Sequence, residues 1–198
     1  MNRPFAQVDV FTQQPYLGNP VAVVLDASGL TTDEMQRFAN WTNLSETTFV
    51  LPATSLQADY QVRIFTTSRE LPFAGHPTLG TCHAWVEHGG TPRQADQIIQ
   101  ECAAGLIPIR RGNDGYAFAA PPRTRTGPVD DALLAKIADQ LRIDVATIVD
   151  AQWIANGPGW IGVMLASAEA VLAVRPGIID EDIALIGSSP DGVEQAFE

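Results

Sequence analysis

Between Pro77 and Gly89-Gly90 lies a helix-forming stretch with very few charges. Leu79, Cys82, Trp85 and Val86 recur at helical spacing, while Gly80 and Ala84 keep the other faces small. An amphipathic surface helix needs a polar face, and this one has almost none, so it is expected to be mostly buried. Pro77 is expected at the first helical position, where its missing N–H costs nothing. Gly89-Gly90 should end the helix. Any fold for this chain must surround that helix.

The chain has the means to do so. With 198 residues and 45% hydrophobic residues it can bury a real core. Upstream, Phe5 to Phe11 reads as a strand, Gly18-Asn19-Pro20 as a turn and Val21 to Leu25 as a buried strand. Thr31-Thr32-Asp33-Glu34 has capping-box spacing and opens a helix carrying Met35, Phe38 and Ala39. Strands are expected at Thr48–Leu51 and Tyr60–Phe65, and after the helix at Gln97–Cys102, Leu106–Arg110 and Tyr116–Ala119. Asn113-Asp114-Gly115 makes the last pair a hairpin.

Pro121-Pro122 and the polar run to Gly127-Pro128 read as a linker, dividing a first domain, 1–120, from a second, 128–198. In the second, Asp130-Asp131 opens a helix through Leu141. Strands follow at Ile148–Ala155 and Trp160–Leu165 around Asn156-Gly157-Pro158-Gly159. Ser167 caps a helix to Val174, a short helix lies near Ile183, and Pro190-Asp191-Gly192 leads into a strand over Val193–Phe197. The order strand, Gly-Pro turn, strand, helix thus occurs at Val8–Leu25 and again at Ile148–Leu165.

A formal net charge of −11 repels phosphate backbones and argues against a nucleic-acid partner. No stretch approaches 18 apolar residues and the N-terminus lacks an apolar signal core, so neither membrane span nor signal peptide is expected, and the cytoplasm is the default. Cys82 and Cys102 are read as reduced, and no spacing suits a metal.

Two segments carry chemistry. Glu46 stands in Asn43-Leu44-Ser45-Glu46-Thr47-Thr48-Phe49-Val50, a polar turn before an apolar run. Partial burial would raise its pKa, which suits a group that both takes and gives a proton. The bland alternative is a solvated loop glutamate. Gly75-His76-Pro77-Thr78 lies at the helix start, where free N–H groups favour an anion such as a carboxylate. Thr78 offers a hydroxyl and His76 a donor or proton carrier; the alternative is a tight turn with a half-buried histidine. Asn19 is chiefly a turn former, with a polar contact to ligand as the second choice.

Asp9-Val10-Phe11, Gly18-Asn19-Pro20-Val21-Ala22-Val23-Val24-Leu25, Ser45-Glu46-Thr47-Thr48-Phe49-Val50 and Phe73-Ala74-Gly75-His76-Pro77-Thr78-Leu79-Gly80 together resemble the PhzF-like phenazine biosynthesis family. Asn156-Gly157-Pro158-Gly159-Trp160 resembles the opening of that family's second half. The resemblance implies an α/β (α+β) fold of the diaminopimelate-epimerase-like kind. That fold has two similar units, each a curved sheet around a central helix, with the active site in the cleft between them. It further implies a cofactor-free isomerase, a homodimer, and a small carboxylic-acid substrate on which Glu46 moves a proton. Gly75, His76 and Thr78 would help bind that substrate. Related racemases use two thiols, and here Ala74 stands at the first thiol position. The family's acidic-Asp-Pro-x-Thr-Gly-Ser block is not found before Glu198, so the second unit is expected to be incomplete. The alternative function is therefore a non-catalytic binding or oligomerising remnant.

Overall fold

A computed structural model describes residues 2–112, 115–156 and 159–189. The chain divides into two compact units, Met1–Pro121 and Pro122–Glu198.

The first unit opens with antiparallel strands β1 (Phe5–Val10) and β2 (Asn19–Val24), then helix α1 (Thr32–Thr42). The capping box forms as the sequence predicts. Thr31 Oγ1 accepts from the Glu34 amide at 3.3 Å, and the Glu34 carboxylate accepts from the Thr31 amide at 2.8 Å. Asn43 closes the helix in the left-handed region, φ 56°. Strand β3 (Glu46–Leu51) then lies parallel to β2. The chain continues through β4 (Tyr60–Phe65), β5 (Glu70–Leu71), helix α2 (Gly75–Glu87), β6 (Gln97–Cys102), β7 (Gly105–Gly112) and β8 (Gly115–Phe118). The sheet order is β1-β2-β3-β4-β6-β7-β8, with β5 on β4. Helix α2 touches β1, β2, β3, β6 and β8, so the sheet curls around it.

The period of two explains why β2 and β3 are buried on both faces. Val21, Val23 and Val50 point inward with Cys82 and Ala84 of α2. Val24 and Phe49 point outward and pack with Met35 and Ala39 of α1. Thr78, Thr81 and Cys82 are fully buried and Ala84 nearly so, which meets the expectation for a helix without a polar face. Gly80 has a steric reason: a Cβ there would overlap Val21 Cγ1 and lie 3.0 Å from Val10 Cγ2.

The second unit contains β9 (Arg125–Pro128), α3 (Asp131–Leu141), a 3-10 turn at Val145–Thr147, β10 (Ile148–Ala155), β11 (Ile161–Leu165), α4 (Ala168–Ala173) and β12 (Ile183–Gly187). The sheet order is β12-β11-β10-β9. Ile137 and Leu141 of α3 pack with Trp153, Ile161 and Val163 as its core. Ser167 caps α4 through the Ala170 amide at 3.2 Å.

Four expectations need correction. Glu46 is the first residue of a strand rather than part of a turn. Pro77 is the third residue of α2, where the amide is still outside the i→i−4 ladder and its loss is equally harmless. Residues 125–128 of the expected linker form β9, an edge strand held by pairing to β10 and by the Arg125 guanidinium 3.4 Å from the Trp153 ring centre. The short helix near Ile183 is β12, because its apolar run finds β11 as a parallel partner. The hairpin turn at Asn113-Asp114, the pair Gly157-Pro158, and the turn and strand expected over 190–197 lie outside the described residues. No described helix is long and apolar enough to cross a membrane.

Candidate active site

Three backbone periods converge at one end of α2. Glu46 lies two residues before Thr48 and four before Val50, so its side chain faces α2 with theirs. Asn19 lies two before Val21 and shares that inward face. On α2, His76 sits one turn before Gly80, the residue that touches Val21 and Val10. One turn beyond the tight Gly80 contact, the helix therefore carries its imidazole to the starts of β2 and β3.

The result is a small polar cluster. His76 Nε2 and Glu46 Oε2 are 3.3 Å apart, with side chains 9% and 15% exposed. Asn19 Nδ2 lies 3.4 Å from His76 Nδ1. Ser45 Oγ donates to Asn19 Oδ1 at 3.4 Å. The Glu46–His76 contact is close but off the hydrogen-bond axis. Both facing atoms are buried, and neither has a hydrogen-bond partner in the structure. Buried polar atoms left this way are rare in folded proteins.

Electrostatics follow from the burial. Desolvation raises the Glu46 carboxyl above its usual range, with Ser45 opposing it in part. Desolvation lowers the His76 imidazole, opposed by the Pro20 carbonyl. The carboxyl is thus made easier to protonate and the imidazole harder to charge. The thiols are different. Burial pushes Cys82 up to about 12 and raises Cys102, so neither is an available thiolate. Both cysteines are free and buried.

Of the residues singled out in the sequence, Glu46, His76 and Asn19 come together directly, and Gly75 adjoins His76 at the first position of α2. Gly75 faces Phe118: a Cβ would sit 3.2 Å from Phe118 Cζ. Thr78 does not join them. It is fully buried, donating to the Ala74 carbonyl at 2.9 Å and accepting from Gln100 Nε2 at 3.0 Å. Its full burial, with the hydroxyl held between Ala74 and Gln100, stands against the direct contact to substrate that the sequence suggested. Ser45 was overlooked, although it stands in the same Ser-Glu-Thr-Thr block. Among the described residues no group of three or more His, Cys, Asp or Glu side chains converges as a metal site would.

Comparison with known proteins agrees with this architecture. Residues 8–191 match the model of the family described as phenazine biosynthesis-like protein. A fission-yeast relative, antisense-enhancing sequence 1 of Schizosaccharomyces pombe, is 40% identical over 184 residues, covering 87% of this chain and 60% of its own. The trans-2,3-dihydro-3-hydroxyanthranilate isomerase of Pseudomonas fluorescens is 39% identical over 174 residues, 85% of this chain and 59% of its own. The chain thus spans about 60% of the length of these relatives. A crystal structure of a PhzF-family phenazine biosynthesis protein from Bacillus anthracis superposes with a TM-score of 0.75 at 26% identity, covering all of this chain and 71% of that one. The family model, the identities and the curled sheet around α2 agree: the chain belongs to the PhzF-like phenazine biosynthesis family, whose relatives include named isomerases.

Proposed function

We propose that this chain carries the acid/base half of a cofactor-independent isomerase acting on a small carboxylic acid, with Glu46 as the proton carrier. The observation that carries this reading is the Glu46–His76 pair: two buried polar atoms, 3.3 Å apart, neither engaged in a hydrogen bond. Such a pair is costly to keep in a core, and a substrate that bonds to both would relieve the cost.

Glu46 takes a proton from a C–H next to an electron-withdrawing group. The C–H electron pair moves into the conjugated system, and the same carboxyl returns the proton at another carbon. The raised pKa makes the carboxylate a better base for the first half-step, and the resulting carboxylic acid can still return the proton to the much more basic carbanion. His76 supports the exchange by offering or accepting a hydrogen bond at Nε2. Asn19, bridged to Ser45, orients the ring through Nδ1. The substrate carboxylate lies at the start of α2, against the Gly75 and His76 amides and the positive end of the helix dipole. The reading extends to the two domains as epimerase-like halves, a cytoplasmic setting and a homodimer, as the family resemblance implies. The relatives' reaction on trans-2,3-dihydro-3-hydroxyanthranilate supplies the first substrate to try.

Glu46→Gln keeps the size of the side chain and removes its base. Solvent deuterium incorporation into trans-2,3-dihydro-3-hydroxyanthranilate, followed by NMR, is expected to fall about 10²- to 10⁴-fold. Undiminished incorporation would remove Glu46 from the mechanism. A binding-only role is the second reading. It is favoured by Leu172 and Ile178, which are 62% and 92% exposed in the second unit. Ligand binding by the wild type without any deuterium exchange would establish it.

A further inference from the structure

A second hydrogen-bonded chain runs beneath the site, wholly inside the first unit. Tyr60 Oη, on β4, donates to Gln100 Oε1 at 3.1 Å. Gln100 Nε2, on β6, donates to Thr78 Oγ1 at 3.0 Å. Thr78 Oγ1 donates to the Ala74 carbonyl at 2.9 Å, and the Thr78 amide donates to that carbonyl at 3.2 Å. Tyr60 is 1% exposed, and Gln100 and Thr78 are fully buried. Every link points the same way and ends on the residue that caps α2.

The position of Gln100 is unusual. Its neighbours on the inward face of β6 are Ile98 and Cys102, and an apolar side chain between them would satisfy packing alone. A buried amide is tolerated only when its hydrogen bonds are made, and here the oxygen and one N–H are committed. Burial also holds the Tyr60 phenol protonated, well above its usual range, so it stays a donor.

The end point explains the expense. Ala74 has extended geometry, φ −151° and ψ 141°, and no side-chain cap. The peptide joining it to Gly75 is planar and trans, so its carbonyl and the Gly75 N–H point in opposite directions. An ordinary helix holds that carbonyl with one bond from the i+4 amide. Here it accepts a second, anchored through Gln100 to two strands. Fixing the carbonyl against Thr78 fixes the Gly75 N–H outward, at the end of α2 where Glu46 and His76 meet.

We infer that Tyr60, Gln100 and Thr78 are positioning residues that set the Ala74–Gly75 peptide for the substrate carboxylate. This rests on the reading that the carboxylate binds at the start of α2. Thr78 then acts from inside the core, through Ala74, rather than by touching substrate.

The test follows the Gly75 amide by ¹⁵N NMR in the full chain, alone and titrated with anthranilate, a stable aromatic carboxylate. Thr78→Val keeps volume and loses the hydroxyl. Gln100→Leu removes the middle link. Both are expected to shift the Gly75 amide before ligand is added and to weaken anthranilate about tenfold, about 1.4 kcal/mol. The pH at which Glu46 titrates should not move. Thr78→Ser, which restores the hydroxyl, should rescue binding. Tyr60→Phe, the mildest change, should give a smaller shift in the same direction and serves if the others fail to fold. An unmoved Gly75 amide with wild-type affinity in the variants overturns the inference and leaves the site reading standing. A wild-type Gly75 amide that ignores anthranilate overturns both.

Discussion

In the first unit β1, β2, α1 and β3 form an antiparallel pair, a helix, and a third strand laid parallel to the second. In the second unit β10, β11, α4 and β12 follow the same plan. The registers match closely enough to compare positions. Val21 on β2 pairs with Glu46 at the start of β3, and Ile161 on β11 pairs with Ile183 at the start of β12. The place that holds the carboxylate in one unit holds an isoleucine in the other. Two residues before the paired valine stands Asn19; two before Ile161 stands Gly159. All three histidines of the chain lie in the first unit. The shared frame is thus a way of burying apolar strands. The chemistry was added to it at a strand start, next to a helix that brings an imidazole.

The first way to sharpen that comparison is to test how tightly each frame is packed. Gly80→Ala in the first unit drives a Cβ into Val21, with no flexible tip to move aside, and should destabilise by about 2 kcal/mol. Gly162→Ala in the second meets the end of Ile154 at 3.1 Å, which can rotate, and should cost less than about 1 kcal/mol. Urea denaturation of the two variants measures the difference. Equal losses would mean that the helix in the curled sheet is no tighter than the open second sheet.

The second prediction exploits the isoleucine found where the other unit has Glu46. A carboxyl whose folded pKa is raised binds its proton more tightly in the folded state. Its contribution is neutral below the ordinary value of 4.5, and stability falls as pH rises through the raised value. His76 has the opposite sign. Its folded pKa is lowered, so stability rises with pH up to the ordinary value of 6.5. Glu46→Gln removes the first trend and keeps the second. The variant should match the wild type near pH 4 and melt at a higher temperature near pH 8. A variant less stable than wild type at pH 8 would show that the carboxylate is not held at a cost.

The smallest effects concern the matching helices. Thr31→Ala removes the two bonds of the Thr31 hydroxyl, from the Glu34 amide and to the Glu34 carboxylate, leaves the Thr31 amide bonded to Glu34, and should cost about 1 kcal/mol. Ser167→Ala removes one bond from the six-residue α4 and should cost about 0.5 kcal/mol. Thermal melts of the pair would rank them, and a reversed order would place more of the second unit's stability in its cap.

Much of this was legible in the sequence. Tyr60–Phe65, Gln97–Cys102 and Ile148–Ala155 fall where alternation puts them. The Thr31–Glu34 box was visible because its partners are three residues apart. The strand-turn-strand-helix order at Val8 and at Ile148 indicated the repeated frame that the registers now align. Arg125–Pro128 escaped because an edge strand paired on one side need not alternate, and its Gly and Pro read as turn residues. Ile183–Gly187 escaped because a short apolar run has no type of its own until a neighbour pairs with it.

The sequence by itself determined the residue chemistry and the local periods. It specified a helix that had to be buried, a glutamate leading an apolar strand, and a histidine beside a glycine at a helix start. It also carried enough ordered blocks to point to the family. The tertiary structure decided which of these meet. Only the parallel pairing of β2 with β3, and the seating of Gly80 on Val21, bring His76 within 3.3 Å of Glu46 on one side and 3.4 Å of Asn19 on the other. Only the placement of β6 beside β4 turns Thr78 inward onto Gln100. Periodicity is a property of a few consecutive residues, whereas these contacts join positions tens of residues apart and exist only once the sheet has closed around the helix.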